Sequence, residues 1–172
     1  MPLRKTLPFF LLLLVLIPLA ALENSNSLHL ELLGKSSITA DISYERSITD
    51  RFALGAGFGI NNISRVDFVY EDTRYQAVDI SMPLNLYGIF TITGNRHRLI
   101  APAGCILFTE FSLHRYSTYF TATPAPFIGL GYELKGDRFT FRFPVYLAYL
   151  GPDTEILMEF MPWAGLSFGY SF

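Results

Sequence analysis

GLSFGYSF, Gly165 to Phe172, ends the chain. Large apolar residues occupy every second position (Leu166, Phe168, Tyr170 and Phe172), and serine or glycine fills the positions between them. Strict alternation is the mark of a β-strand with one apolar and one polar face. Chain ends in water usually fray. An aromatic last residue that keeps the alternation predicts instead an end held in a sheet.

The same period runs upstream. In Ile38–Ile48, Ile38, Ala40, Ile42 and Tyr44 share one face, and Thr39, Asp41, Ser43 and Glu45 the other. In Phe52–Ile60, Phe52, Leu54, Ala56, Phe58 and Ile60 oppose Ala53, Gly55, Gly57 and Gly59. Val78–Leu86 and Phe139–Tyr149 repeat the pattern, with Asp79, Ser81 and Asn85, then Thr140, Arg142 and Tyr146, on the polar rows. The last strand is expected to start at Ile156, with Met158 and Phe160 on its apolar face and Glu159 on the other. Leu99–Phe111 is apolar on both faces, so its register stays open. Gly55, Gly57 and Gly59 lie in mid-strand with no helix after them, so they form no phosphate loop. They are expected to make room for a bulky interior side chain such as Tyr87 or Trp163.

Connectors alternate in character. SITDR (47–51), TGNRH (93–97) and KGD (135–137) are tight turns. NNISRVDFVYEDTR (61–74), SLHRYST (112–118) and GPDTE (151–155) are more polar and mostly longer, and are expected to be loops. Short turns at one end and long loops at the other is the arrangement of bacterial outer-membrane barrels, whose turns face the periplasm. Walking back from a periplasmic C-terminus leaves the start of Ile38–Ile48 at the outer end, so one more strand is required. NSLHLELLG (26–34) supplies it, with Leu28, Leu30 and Leu32 alternating with His29 and Glu31. The count is then eight strands, with both termini periplasmic.

The N-terminus agrees. MPLRKTLPFFLLLLVLIPLAAL begins with Arg4 and Lys5, continues in an apolar run shorter than a membrane-spanning helix, and ends in small residues. This is the layout of a cleaved signal peptide, residues 1–21, followed by a single barrel domain, 22–172. The whole chain carries net charge −2, and losing Arg4 and Lys5 makes it more negative, which argues against nucleic acid as a partner. Cys105 is the only cysteine, so no internal disulfide forms.

Alternation alone does not separate a membrane barrel from a soluble one, because the two exchange inside and outside. Three features favour the membrane. The rows opposite the apolar faces hold Asp41, Glu45, Asp79, Glu133, Arg142 and Glu159. These charges would form a polar network in a lumen that eight strands leave just filled by side chains. Aromatics (Tyr44, Phe52, Phe90, Tyr132, Phe139, Tyr170 and Phe172 at one end; Phe111, Phe120 and Tyr149 near the other) concentrate where strands would cross the interfaces. No helix follows the last strand. The expected class is all-β: an eight-stranded antiparallel up-and-down transmembrane β-barrel.

With these residues the chain resembles the small outer-membrane β-barrels of the OmpA/OmpX type. LELLGKSSITADISYER (30–46) is similar to the opening of many such barrels. The resemblance implies that Leu166, Phe168, Tyr170 and Phe172 are an assembly signal read by the barrel-insertion machinery, and that outer-membrane lipids are the protein's surroundings. Six prolines (Pro83, Pro102, Pro124, Pro126, Pro144 and Pro162) fall inside expected strands, and each removes a ladder donor. A tier of bulges is the expected accommodation.

No catalytic constellation stands out. Some barrels of this size modify lipid A through a His-x-Ser pair with Glu, or a His with Asp and Ser. Here His97 lies in a periplasmic turn, and His114 follows Ser112 in the order Ser-x-His. No cofactor and no metal are expected; Glu133 and Arg142 flank the KGD turn and should meet. The leading reading is a non-enzymatic outer-membrane protein with a structural or binding role, acting through outer loops, chiefly 61–74, on an extracellular ligand that the residues do not name. Alternatives are a lipid A deacylase or acyltransferase and a narrow solute channel.

Overall fold

The structure, a computed structural model, describes residues 26–35, 40–70, 73–114, 118–151 and 159–172. The expected signal peptide lies outside them, as do Ile156 and Met158 at the expected start of the last strand. The strands are β1 (Asn26–Leu32), β2 (Ala40–Thr49), β3 (Phe52–Ile60), β4 (Asn62–Tyr70), β5 (Thr73–Ser81), β6 (Leu84–Thr93), β7 (His97–His114), β8 (Thr118–Lys135), β9 (Phe139–Tyr149), β10 (Phe160–Ala164) and β11 (Leu166–Ser171). Three pairs, β3/β4, β5/β6 and β10/β11, are single runs interrupted at Asn61, at Met82–Pro83 and at Gly165. The result is eight antiparallel barrel strands. Each pairs with the next in sequence, and β11 returns to β1.

Closure explains the terminal octapeptide. Leu28 stands opposite Tyr170, Leu30 opposite Phe168 and Leu32 opposite Leu166, and the Phe172 N–H donates to the Asn26 carbonyl at 2.9 Å. On the other side Phe168 pairs with Phe141, and their rings lie 5.0 Å apart; the Phe139 ring is 5.6 Å from that of Phe168. β11 is therefore zipped on both edges, whereas β10 pairs with β9 alone among the described strands.

Both described chain ends, Asn26 and Phe172, share one end of the barrel with the turns at 50–51, 94–96 and 136–138. Gly94 has φ +100°, and a Cβ there would lie 1.8 Å from the His97 carbonyl oxygen, so this turn requires glycine. At the opposite end the sheet is uneven. The 61–74 stretch, expected as a loop, is mostly strand: Asn62–Tyr70 pairs with Thr73–Ser81. Its β-branched and aromatic residues suit a ladder once a partner strand lies alongside. β7 and β8 also run high, pairing as far as Leu113 and Thr118.

The prolines do not make the expected tier of bulges. β9 holds one register against β10 and β11 across both Pro144 and Pro162, and β7 and β8 stay in register across Pro102, Pro124 and Pro126. The cost is a missing donor, taken locally. The Pro144 carbonyl accepts from the Gly165 N–H at 2.9 Å but returns none, and β10 and β11 part at Gly165. The β7–β8 ladder likewise skips Ala101 and Pro102. Of these prolines only Pro83 lies near a register change, by one residue between the β4–β5 and β3–β6 pairings; the shifts at Ser47–Thr49 and Thr91–Thr93 lie at the tight-turn end, away from the prolines.

Leu28, Ile42, Phe58, Leu86, Ile128, Val145 and Phe168 are exposed on the outer face, Leu86 by 64% and Ile128 by 62%. Glu31, Asp41, Glu45, Glu133 and Arg142 are buried. Among the described residues no helix is long and apolar enough to cross a membrane, which says nothing of crossing by strands. The lumen is not polar throughout. Ile89, Ile100, Ile106, Phe127 and Ala148 pack with Tyr87 and Tyr146 against one wall, and this settles the ambiguous strand: Ile100 and Ile106 point inward.

Candidate functional site

Strand register builds the charged half of the lumen. Glu133 on β8 stands opposite Arg98 on β7 and opposite Arg142 on β9, which makes a cation–anion–cation row across three strands. Arg142 Nε donates to Glu133 Oε2 at 2.5 Å, and Arg98 Nη1 lies 3.6 Å from Glu133 Oε1. Arg142 Nη1 crosses the barrel to donate to Glu45 Oε1 at 2.6 Å. Tyr87 Oη donates to the same oxygen at 2.7 Å. The other Glu45 oxygen lies 3.3 Å from His29 Nε2, itself 3.0 Å from Ser27 Oγ, while His29 Nδ1 is 3.3 Å from Ser167 Oγ. Burying a charge is tolerable only when it is paired and hydrogen-bonded, and here each carboxylate has more than one partner.

A second cluster lies towards the opposite end. Tyr146 Oη donates to Glu31 Oε1 at 2.5 Å, and Lys35 Nζ donates to Glu31 Oε2. Lys35 also sits 4.3 Å from the centre of the Tyr87 ring, a cation–π contact. Leu33 has φ 53°, unusual for a bulky residue, and the chain turns there so that Lys35 is buried. Trp163 Nε1 fastens this turn by donating to the Gly34 carbonyl at 2.8 Å.

Glycines make the room. A Cβ on Gly169 would lie 2.2 Å from His29 Cε1, one on Gly55 2.4 Å from Tyr87 Cζ, and one on Gly165 2.6 Å from Glu31 Oε1. Tyr87 is thus the bulky neighbour of Gly55. Trp163 packs elsewhere, against Tyr146 and the Gly34 turn.

Of the expected network residues, Glu45, Glu133 and Arg142 meet, and Asp41 is buried on the same inward row of β2. Asp79 is half-buried on β5 and lines a separate cavity of about 490 Å³ with Glu110 and Ser112. Glu159 does not join the lumen: it precedes β10 at the mouth and is exposed. Alternation sets the side a residue faces but not whether anything lies there. His29 and Glu31 were readable from their inward parity in NSLHLELLG. Nothing in the local pattern signals that Lys35 enters the lumen.

His97 is exposed at the tight-turn end, where its Nδ1 contacts the Tyr132 hydroxyl. His114 lies on β7, opposite Ala77. Among the described residues, no group of three or more His, Cys, Asp or Glu is placed to hold a metal ion.

Below the network, at the tight-turn end, a polar cavity of about 570 Å³ opens. Glu45, Glu133 and Arg142 line its inner part, and Arg51, Arg98 and Lys135 its walls.

The backbone can now be set beside solved structures. The N-terminal β-barrel domain of Pseudomonas aeruginosa OprF superposes with a TM-score of 0.56 at 16% identity, over 86% of this chain and 95% of that one. The fold is that of the small eight-stranded outer-membrane β-barrels. Acinetobacter baumannii CarO (TM-score 0.49, 9% identity, 88% and 98% covered) and Neisserial surface protein A (0.42, 15%, 85% and 91%) are more distant likenesses. No protein-family model and no curated protein matches the sequence.

Proposed function

We propose that the protein is an integral outer-membrane β-barrel with a non-enzymatic, structural or binding role. One observation carries this reading: polarity is inverted. Leucine, isoleucine and phenylalanine cover the outside, while Glu31, Glu45, Glu133 and Arg142 are buried inside. In water that exterior would be an aggregation surface. In a bilayer it is the stable arrangement, and the pairing of β11 with β1 closes the seam that would otherwise expose a strand edge to hydrocarbon. The OprF likeness supports the same architecture. Both termini would then lie in the periplasm with the tight turns, and the β4–β5 hairpin would stand at the cell surface, where it could contact a partner.

In this reading Leu166, Phe168, Tyr170 and Phe172 act as the signal for the insertion machinery, and outer-membrane lipids surround the barrel. The packed lumen between the two cavities favours a closed barrel over a channel.

The experiment is expression of the full chain in a Gram-negative host, followed by membrane fractionation and gel migration with and without heating. Recovery in the outer membrane as a heat-modifiable band is expected. A folded product in the soluble fraction would overturn the proposal.

A further inference from the structure

We propose that the 570 Å³ cavity at the tight-turn end is a blind pocket that binds a small oxyanion, carboxylate or phosphate, through Lys135 and Arg98 above the Arg142 floor. Its volume is that of a small-molecule site. It is closed on the inside, because the Arg142–Glu45–Tyr87 bonds and the packed Ile89, Ile100 and Phe127 fill the lumen beyond it. A ligand entering here meets a floor rather than a passage.

The charges select the ligand. Four cations (Arg51, Arg98, Lys135 and Arg142) and three carboxylates (Glu45, Asp50 and Glu133) line the pocket. Two of the carboxylates are already engaged, since both bond to Arg142. Arg98 donates Nε to the Asn95 carbonyl at 2.6 Å and reaches Glu133 with Nη1 only at 3.6 Å, which leaves Nη2 for another acceptor. Lys135 is half-buried and, among the described residues, has no carboxylate within ion-pair distance. It stands two residues beyond Glu133 on the same inward row of β8, opposite Thr140 on β9. The positive charge left over thus sits on adjacent strands facing one cavity, with the Thr140 and Ser171 side chains in the wall as further donors. An oxyanion accepts from all of these groups, and charge-assisted bonds are the strong class.

The test uses the full-length barrel refolded in an uncharged detergent. Backbone amide shifts are followed by NMR during titration with inorganic phosphate, with succinate and, at matched ionic strength, with chloride. Saturable shifts at Arg98, Lys135 and Thr140, with phosphate or succinate at least tenfold tighter than chloride, are expected; which of the two binds identifies the source of the oxyanion. Lys135→Gln should weaken that binding about tenfold, the loss of one charge-assisted bond, while leaving the heat-modifiable band unchanged. Should the variant misfold, the wild-type titration decides alone. Shifts that fail to saturate, centre away from the pocket, or are matched by chloride overturn the proposal. So does a folded Lys135→Gln barrel that binds as well as wild type.

Discussion

Replacing Arg142 by methionine removes the side chain that joins Glu45 to Glu133. The side chains of Glu45 and Glu133 are 2% and 4% exposed, so when the guanidinium leaves each carboxylate gains water only through the tight-turn-end cavity that it lines. Glu45 keeps the Tyr87 hydroxyl at 2.7 Å and His29 at 3.3 Å; Glu133 keeps only Arg98 at 3.6 Å. Breaking a buried pair from one side costs about 3–5 kcal/mol, mostly the penalty of the charge left behind. The surviving partners offset part of the second loss, so the expected total is about 3–5 kcal/mol rather than twice that. The companion variant Glu45→Gln/Glu133→Gln/Arg142→Met removes all three charges together and is expected to recover to within about 2 kcal/mol of wild type. Urea unfolding of the barrel in phospholipid vesicles measures both. Trp163, the only tryptophan, reports the transition because its indole N–H is tied to the Gly34 turn. A single variant within about 1 kcal/mol of wild type, or a triple variant no better than the single one, would refute the reasoning.

Other outcomes follow from the same geometry. Gly169→Ala should destabilise the barrel by about 1–3 kcal/mol in the same assay, because its new methyl meets the His29 ring at 2.2 Å; an unchanged midpoint would mean that the ring is free to move. Leu30→Arg, on the outer face between Ile42 and Phe168, should cost about 2–4 kcal/mol in lipid, and a null effect would argue that this face never meets acyl chains. Deleting Phe172 should lower the yield of outer-membrane protein in cells while leaving refolding into detergent intact; equal loss in both would make the residue structural rather than a signal. Tyr87→Phe removes the hydroxyl that bonds Glu45 and should cost about 1–3 kcal/mol, read from the urea midpoint.

With the connectors giving the number eight and the charged rows turning the apolar face outward, the alternation of NSLHLELLG, FALGAGFGI, FTFRFPVYLAY and GLSFGYSF was enough to predict strands with one apolar and one polar face, because a period of two is a local property of extended backbone. It was also enough to bring Glu133 and Arg142 together, since a three-residue turn leaves little freedom of register. What a side chain meets across the lumen is a different matter. Glu45 and Arg142 are 97 residues apart, and only ring closure and the stagger of neighbouring strands bring them to one height. The same closure leaves Glu159 exposed at the end of β10 and Asp79 in a cavity of its own. The turn at Leu33 carries Lys35 inward because buried Glu31 needs a cation, and no local pattern encodes that need. The prolines make the same point in reverse: each removes a donor that the sequence announces, but whether the sheet bulges or gives up one bond is decided by the strands on either side. Composition and periodicity thus determined the faces of this protein. Tertiary structure decided its partners, because pairing depends on height and closure, which no single strand contains.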